Sequence, residues 1–172
     1  LGHIDLTNFS SIQTLSPGSV RPVELDTTNL IDPLYFATGA FTAFGSTGTY
    51  VQVLQTGRYF VSYKLGANQT STGGTNFLSG SLWKNIITPV EVTNFRGYTT
   101  IEDVTTGVNV PYTLLTVTGI LDAVVGDQFW VKTESLAGGV GNLNITNSDT
   151  GFSMFILEGS IGPTGACLLY TS

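Results

Sequence analysis

Charge is scarce in this sequence. Only 10% of the 172 residues are charged, and six basic residues against twelve acidic ones leave a net charge of −6. No basic cluster occurs, which excludes a nucleic-acid-binding surface of the electrostatic kind. No apolar run approaches the ~20 residues that a membrane-spanning helix requires. We therefore expect neither a nucleic-acid partner nor a membrane span.

Histidine and cysteine are nearly absent, with His3 and Cys167 as single examples. This excludes an internal disulfide framework and argues against zinc and against Ser-His-Asp or Cys-His nucleophiles. Among the acidic pairs, Glu24 and Asp26 alternate towards solvent on one strand, and Glu102 and Asp103 lie in a polar loop. Glycosidase chemistry needs two carboxyls ~5–10 Å apart in a cleft. We expect no enzyme, and a carbohydrate-active β-sandwich is the remaining enzymatic alternative.

The chain is instead rich in apolar residues (41%), with 21 glycines and 26 threonines. The stretch 51–65 alternates apolar and polar residues on either side of Thr56-Gly57, a pattern that predicts a hairpin. No useful stretch shows apolar residues at helical spacing, and turn signals recur every ~8–12 residues, which favours an all-β sandwich or barrel of seven to ten strands. Residues 1–18 show weak periodicity and read as an N-terminal arm or linker before a domain over 19–158.

Three segments predicted as loops, residues 66–76, 97–111 and 136–150, form the candidate ligand-binding surface, because loops on a rigid sandwich vary without cost to the core. The candidate ligand residues in or near them are Asn68, Tyr98, Glu102, Asp103, Asn142 and Asn144.

Four segments carry a family resemblance: Gly57–Leu65, Leu82–Asn85, Leu121–Thr133 and Gly151–Glu158. In this order they resemble the globular head of complement component one-q, one of the tumour-necrosis-factor-like jelly rolls, over about residues 19–158. The alternative is a generic β-sandwich that shares only turn motifs with that family. The resemblance implies a jelly roll of about ten strands that forms a tight homotrimer through one aromatic, apolar sheet face.

The aromatic residues assigned to that interface or to the core are Tyr59, Tyr63, Trp83, Phe129, Trp130, Phe152 and Phe155. Trp83 and Trp130 could alternatively stack on sugars. Some complement-like heads bind calcium near the trimer apex, which makes Asp122 and Asp127 weak calcium candidates. No Asp-x-Asp-x-Asp-Gly loop occurs, so we expect no cofactor. We expect the two aspartates to be solvated acidic residues in turns.

Residues 159–167 follow a Gly-X-Y frame with glycine at 159, 162 and 165. Only glycine fits the axis of a collagen triple helix, so Gly159, Gly162 and Gly165 predict the start of a collagen-like stalk. Gly-Pro-Thr is typical of bacterial and giant-virus collagen-like surface proteins. Complement stalks usually precede the head, whereas this one follows it. Residues 168–172 fit neither part: with Cys167 they resemble translated sequencing-adapter read-through, or else form a native tail whose cysteine cross-links chains.

The combined expectation is a non-enzymatic, homotrimeric surface head on a collagen-like stalk. It would align three chains and present loops to a cell-surface glycan or protein, outside the cell or on a virion or spore surface. A purely structural trimerisation clip or fibre knob is the alternative.

Overall fold

Every regular element in the described part of the chain is a β-strand. The structure is a computed structural model that describes residues 2–8, 12–69, 74–101, 112–136, 141–146 and 149–159. The strands are β1 His3–Thr7, β2 Gln13–Leu15, β3 Val20–Pro22, β4 Thr27–Ile31, β5 Phe36–Ala43, β6 Ser46–Val53, β7 Gly57–Gln69, β8 Asn76–Lys84, β9 Val90–Ile101, β10 Tyr112–Ala123, β11 Gln128–Ser135, β12 Leu143–Ile145 and β13 Gly151–Gly159. No helix able to cross a bilayer occurs among these described ranges.

The strands form two antiparallel sheets. The first sheet has the order β2-β12-β7-β13-β1-β4, with β10 paired to β7, and the second has the order β5-β6-β11-β8-β9, with β3 paired to β11. Strands distant in sequence lie side by side, as β7 and β13 do, which is the connectivity of Greek-key sandwiches. The predicted all-β sandwich is confirmed.

The core lies between the two sheets because most strands have one apolar side. On β7, Tyr59, Val61, Tyr63 and Leu65 are at most 1% exposed. Burying a large apolar side chain contributes roughly 1.5–3 kcal/mol, so each of these four residues adds substantially to the stability of the fold. Four of the aromatic residues assigned to the interface or core lie in this core: Tyr59, Tyr63, Phe129 and Phe152.

The prediction that residues 1–18 form an arm outside the domain is wrong for their described part. Strand β1 pairs with β13, from His3 opposite Phe155 to Thr7 opposite Gly151, and on its other side with β4. Ile4 and Leu6 are buried in the core. A five-residue strand with only two inward apolar residues is too short to produce a clear periodicity.

Several predicted loops and connections also belong to strands. Residues 97–101, which were predicted as loop, extend β9. Asn68, Tyr98 and Asn144 therefore lie on β7, β9 and β12 rather than in loops. The outward-facing side chains next to these three residues are polar, so the hydropathy pattern did not show that the residues belong to strands. Glu102 and Asp103 lie outside the described residues.

The β5–β6 hairpin turns through Phe44 and Gly45, which have φ values of 51° and 71°. A two-residue turn with both φ values positive matches the twist of the flanking strands, and Asn-Gly is the pair that favours it. Phenylalanine tolerates this left-handed conformation poorly, at a cost on the order of 1 kcal/mol or more. The ring recovers little by packing, since Phe44 is 60% exposed.

We therefore expect Phe44→Asn to raise the free energy of unfolding by about 1 kcal/mol, because asparagine relieves the strain at small loss of buried area. Urea denaturation monitored by tryptophan fluorescence measures the change. Phe44→Val is the control and should lower stability, since a β-branched residue suits a positive φ least. An asparagine variant less stable than the parent would contradict the assignment of strain.

Two core tyrosines should make the fold sensitive to alkali. Burial raises the pKa of Tyr59 to about 12, and it raises the pKa of Tyr63 further still. The Tyr63 hydroxyl donates to the Phe95 carbonyl oxygen at 2.9 Å, a bond that requires the neutral phenol. The folded pKa of each tyrosine exceeds the unfolded value near 10. The stability that the neutral phenols contribute is therefore complete below about pH 10 and is lost as pH rises towards 12.

We expect denaturant midpoints to be level up to about pH 10 and to fall steeply above it, with phenolate absorbance from these two residues appearing only on unfolding. Tyr63→Phe should flatten this dependence. A full complement of phenolates in the folded protein near pH 10.5 would contradict the burial assigned to them.

Candidate functional site

A row of largely apolar side chains crosses the outer face of the first sheet, the face turned away from the core. Ile120 on β10 lies opposite Phe60 on β7, Phe60 lies opposite Phe155 on β13, and Phe155 lies opposite His3 on β1. The Phe60 and Phe155 rings stack at 4.9 Å, and His3 meets Phe155 edge-on at 6.0 Å. We call Ile120, Phe60, Phe155 and His3 the aromatic row.

The aromatic row is only partly covered within one chain: His3, Phe60 and Phe155 are half-buried. Ile120 is 58% exposed, and Leu157, two residues beyond Phe155, is 44% exposed. The His3 Nε2 atom lies 3.1 Å from the Ser153 hydroxyl, which fixes the imidazole against the strand. Phe155 thus lies on an outer face and not in the core between the sheets, and its sequence neighbour Met154 takes the core position. An apolar strip on a sheet face marks a surface suited to a protein partner.

Polarity rises along the same face away from the aromatic row. The next cross-strand set is small and polar, and contains Thr118, Ser62, Ser153 and Asp5. Further along, Tyr112, Asn68, Asn144 and Thr14 follow one another across β10, β7, β12 and β2. The Thr14 hydroxyl donates to Asn144 Oδ1 at 2.8 Å. The structure thus brings Asn68 and Asn144 together, with the exposed Asn142 just before β12.

Tyr112 belongs to this polar set, but its hydroxyl forms a hydrogen bond to a residue outside the set. Its hydroxyl donates to Asp149 Oδ2 at 2.7 Å. Burial and this carboxylate acceptor together raise the pKa of Tyr112 to about 12. Its phenol therefore stays neutral at physiological pH and acts as a hydrogen-bond donor, not as a base.

The two ends of the sandwich differ in what they carry. Strand β13 ends with Gly159 opposite Gly57, and the Ile156 amide donates to the Gly2 carbonyl oxygen at the same end. We call this the terminal end. Strand β7 ends at Gln69 and β9 at Ile101 at the opposite, or distal, end. Gly162 and Gly165 lie outside the described residues.

The two calcium candidates line one cleft of about 330 Å³ at the terminal end. Arg58 Nε lies 3.0 Å from Asp122 Oδ1, and Lys84 Nζ lies 2.7 Å from Asp127 Oδ2. Asp127 also accepts the Val124 amide at 2.9 Å, which closes the β10–β11 turn. Across the described ranges, no three His, Cys, Asp or Glu side chains group as metal ligands. Each carboxylate already has a cation beside it, so we expect this cleft to bind calcium poorly.

We expect about 5 mM calcium to leave the melting temperature unchanged, because a cation that binds only the folded state must raise it. Differential scanning fluorimetry with calcium and with chelator measures this. A calcium-dependent rise that disappears in Asp127→Asn would contradict this assignment of the cleft.

The two tryptophans lie on the outer face of the second sheet and not between the sheets. The rings of Trp83 and Trp130 stack at 5.7 Å, and Phe41 meets Trp130 at 5.1 Å. Lys132 Nζ lies 4.7 Å from the Trp83 ring centre, and Trp130 Nε1 donates to the Asn85 carbonyl oxygen. Trp130 is only 2% exposed, so its ring is not available to stack on a sugar. Within this cluster, Trp130 is covered by its neighbours, whereas Ile120 of the aromatic row is not.

Sequence reasoning missed Phe60 and Ile120, which lie in the aromatic row. Both residues alternate with predicted inward residues, Phe60 between Tyr59 and Val61 and Ile120 before Leu121. An apolar residue at an outward position was therefore the available signal. Only the strand register shows that the two residues are neighbours.

Comparisons with known proteins agree with this topology. No protein-family profile and no curated protein matches the sequence. Among solved structures, Eiger TNF from S. frugiperda superimposes with a TM-score of 0.58 at 14% identity, covering 95% of this chain and 96% of that one. Murine APRIL superimposes with TM-scores of 0.56 at pH 5.0 and 0.57 at pH 8.0, at 13% and 15% identity, covering 90% of this chain and 98% of that one in both cases.

The chain has the TNF-like jelly-roll fold. At these identities the likeness shows the fold alone. It confirms the jelly-roll fold that the sequence resemblance implies, while the collagen-like segment has no counterpart in these comparisons.

Proposed function

We propose that this chain is a non-enzymatic, homotrimeric head domain of a surface protein. It aligns three chains of a collagen-like stalk and presents its surface for attachment, outside the cell or on a virion or spore. The observation that carries the proposal is the aromatic row, an open apolar strip on the sheet whose strand β13 leads into the Gly-X-Y frame.

The aromatic row supports self-association because much of its apolar area stays exposed within the chain, above all at Ile120 and at the nearby Leu157. Burying such area contributes roughly 25 cal/mol per Å². The adjoining Ser62, Ser153 and Thr118 are small, so sheets from separate copies can approach closely. A TNF-like jelly roll with one apolar, aromatic outer face is the arrangement that the family resemblance associates with a trimer.

The path of β13 supports the link to the stalk. This strand lies between β7 and β1 in the first sheet, carries Phe155, and ends at Gly159 at the terminal end. In a trimer that meets through the aromatic row, three copies of Gly159 leave the heads near the shared axis. A collagen helix needs three chains with glycine at every third position, so this placement brings the three chains into register.

The non-enzymatic assignment rests on composition. A single histidine, His3, sits in the aromatic row, where its ring packs against Phe155 and its Nε2 meets Ser153. Attachment would then depend on avidity, since three weak sites on one rigid trimer bind a repetitive surface far more tightly than one site does. The alternative function, a trimerisation clip that binds no ligand, would use the same aromatic row and would differ only in having no attachment role.

Ile120→Glu tests the trimer directly. Ile120 is 58% exposed in one chain, so the fold tolerates the change, whereas burying three carboxylates at an interface costs several kcal/mol. We expect the parent to sediment at three times the 18.2 kDa chain mass at micromolar concentration. The variant should dissociate at a concentration at least about 100-fold higher than the parent.

Phe44→Glu serves as the matched control, because it places a carboxylate at another exposed apolar position outside the aromatic row. Near-ultraviolet circular dichroism verifies the fold of both variants. A monomeric parent at micromolar concentration, or an Ile120→Glu variant that associates as tightly as the parent, would refute the proposal.

A further inference from the structure

We propose that a cleft between Phe77 and Tyr98 on the second sheet binds a neutral sugar residue of a surface glycan. The inference rests on the attachment role proposed above and gives it a location and a ligand class. The cleft has a volume of about 370 Å³ and is lined by Phe77, Tyr98, Thr99, Thr100 and Leu136. This volume falls in the range of small-molecule sites.

The two aromatic rings stand on neighbouring strands and face outwards. Phe77 on β8 lies opposite Thr100 on β9, and Ser79 lies opposite Tyr98, so the rings are diagonal neighbours on one face. Phe77 is 37% exposed and Tyr98 is 57% exposed. Unlike Trp130, these rings keep much of their surface accessible to a ligand.

The Tyr98 hydroxyl is oriented by a charged pair. Its oxygen accepts a hydrogen bond from Arg96 Nη1 at 3.2 Å, and Arg96 is held by two hydrogen bonds to the Glu91 carboxylate. Because the phenol oxygen accepts from Arg96, its own hydrogen is directed to a further acceptor. Thr100 adds an exposed hydroxyl at the rim.

The charge balance selects the class of ligand. Glu91 matches the charge of Arg96, so the cleft offers no unbalanced cation to a phosphate or a carboxylate. A neutral pyranose has an apolar C–H face and a rim of hydroxyls, which match two aromatic rings beside a phenol and threonine hydroxyls. A purely apolar peptide would leave these hydroxyls without partners.

The position of the cleft suits a trimeric head. Phe77 and Thr100 lie near the start of β8 and the end of β9, at the distal end and away from Gly159. The second sheet is the one that the aromatic row does not occupy. Three copies of the cleft would therefore face outwards from a trimer and away from the stalk, as multivalent attachment requires.

Saturation-transfer NMR with neutral methyl glycosides of glucose, galactose, mannose and N-acetylglucosamine tests the site, together with an array of neutral glycans. We expect at least one of these sugars to bind the parent, with binding weakened at least tenfold by Tyr98→Ala and by Phe77→Ser. Tyr98→Phe keeps the ring and loses the donor, so it should fall between the parent and Tyr98→Ala. Phe44→Ser, an exposed phenylalanine outside the cleft, should bind like the parent.

The inference is overturned if none of the neutral glycosides or arrayed glycans binds, if an anionic glycan or an apolar peptide binds this cleft instead, or if Tyr98→Ala binds as the parent does. Failure of the trimer is distinguishable from failure of the site. Ile120→Glu should lose avidity on the array and keep saturation transfer to the free glycoside. Tyr98→Ala should keep its sedimentation and lose the sugar.

Discussion

Each sheet of a two-layer sandwich has two faces, and the partner sheet can cover only one of them. Strand β7 carries aromatic residues towards both sides: Tyr59 and Tyr63 point into the core, whereas Phe60 points out and stacks on Phe155. The second sheet closes the inward set. Within one chain nothing described covers Phe60, Phe155 and Ile120 to the same degree, so the chain alone leaves an apolar strip in water. The proposed trimer and the proposed alignment of three stalk chains would both follow from covering that strip.

The outer faces of the two sheets differ in how far their apolar side chains are covered. On the second sheet, Trp130 is covered by Phe41 and Trp83, and Lys132 lies over the Trp83 ring. On the first sheet, the apolar strip is concentrated near the terminal end, where Gly159 leaves, and gives way to serine, threonine and asparagine towards the distal end. One outer face is thus suited to self-association, and the other is left for contact with the surroundings.

The sequence predicted the fold class well because the alternation of apolar and polar residues over 51–65 is a local signal. It missed β1 and the end of β9, where strands are short or carry threonine outwards, so hydropathy did not rise above the background. It also left open which side of β11 faces the core, since Phe129 and Trp130 are adjacent and both apolar. The pairing of β11 with its neighbouring strands determines which side faces the core. The row linking His3 to Ile120 and the cleft joining Phe77 to Tyr98 depend on register, which local patterns do not encode.

Hydroxyl-radical footprinting of the native protein at micromolar concentration, read out by residue, tests the central claim most directly. Ile120 and Val90 have similar exposure in one chain, 58% and 61%, so a monomer should oxidise them at similar rates. The account predicts strong protection of Ile120, with Phe60 and Phe155 protected alongside it, while Val90 reacts freely. Equal oxidation of Ile120 and Val90 would show that no second copy covers the aromatic row, and would contradict the account.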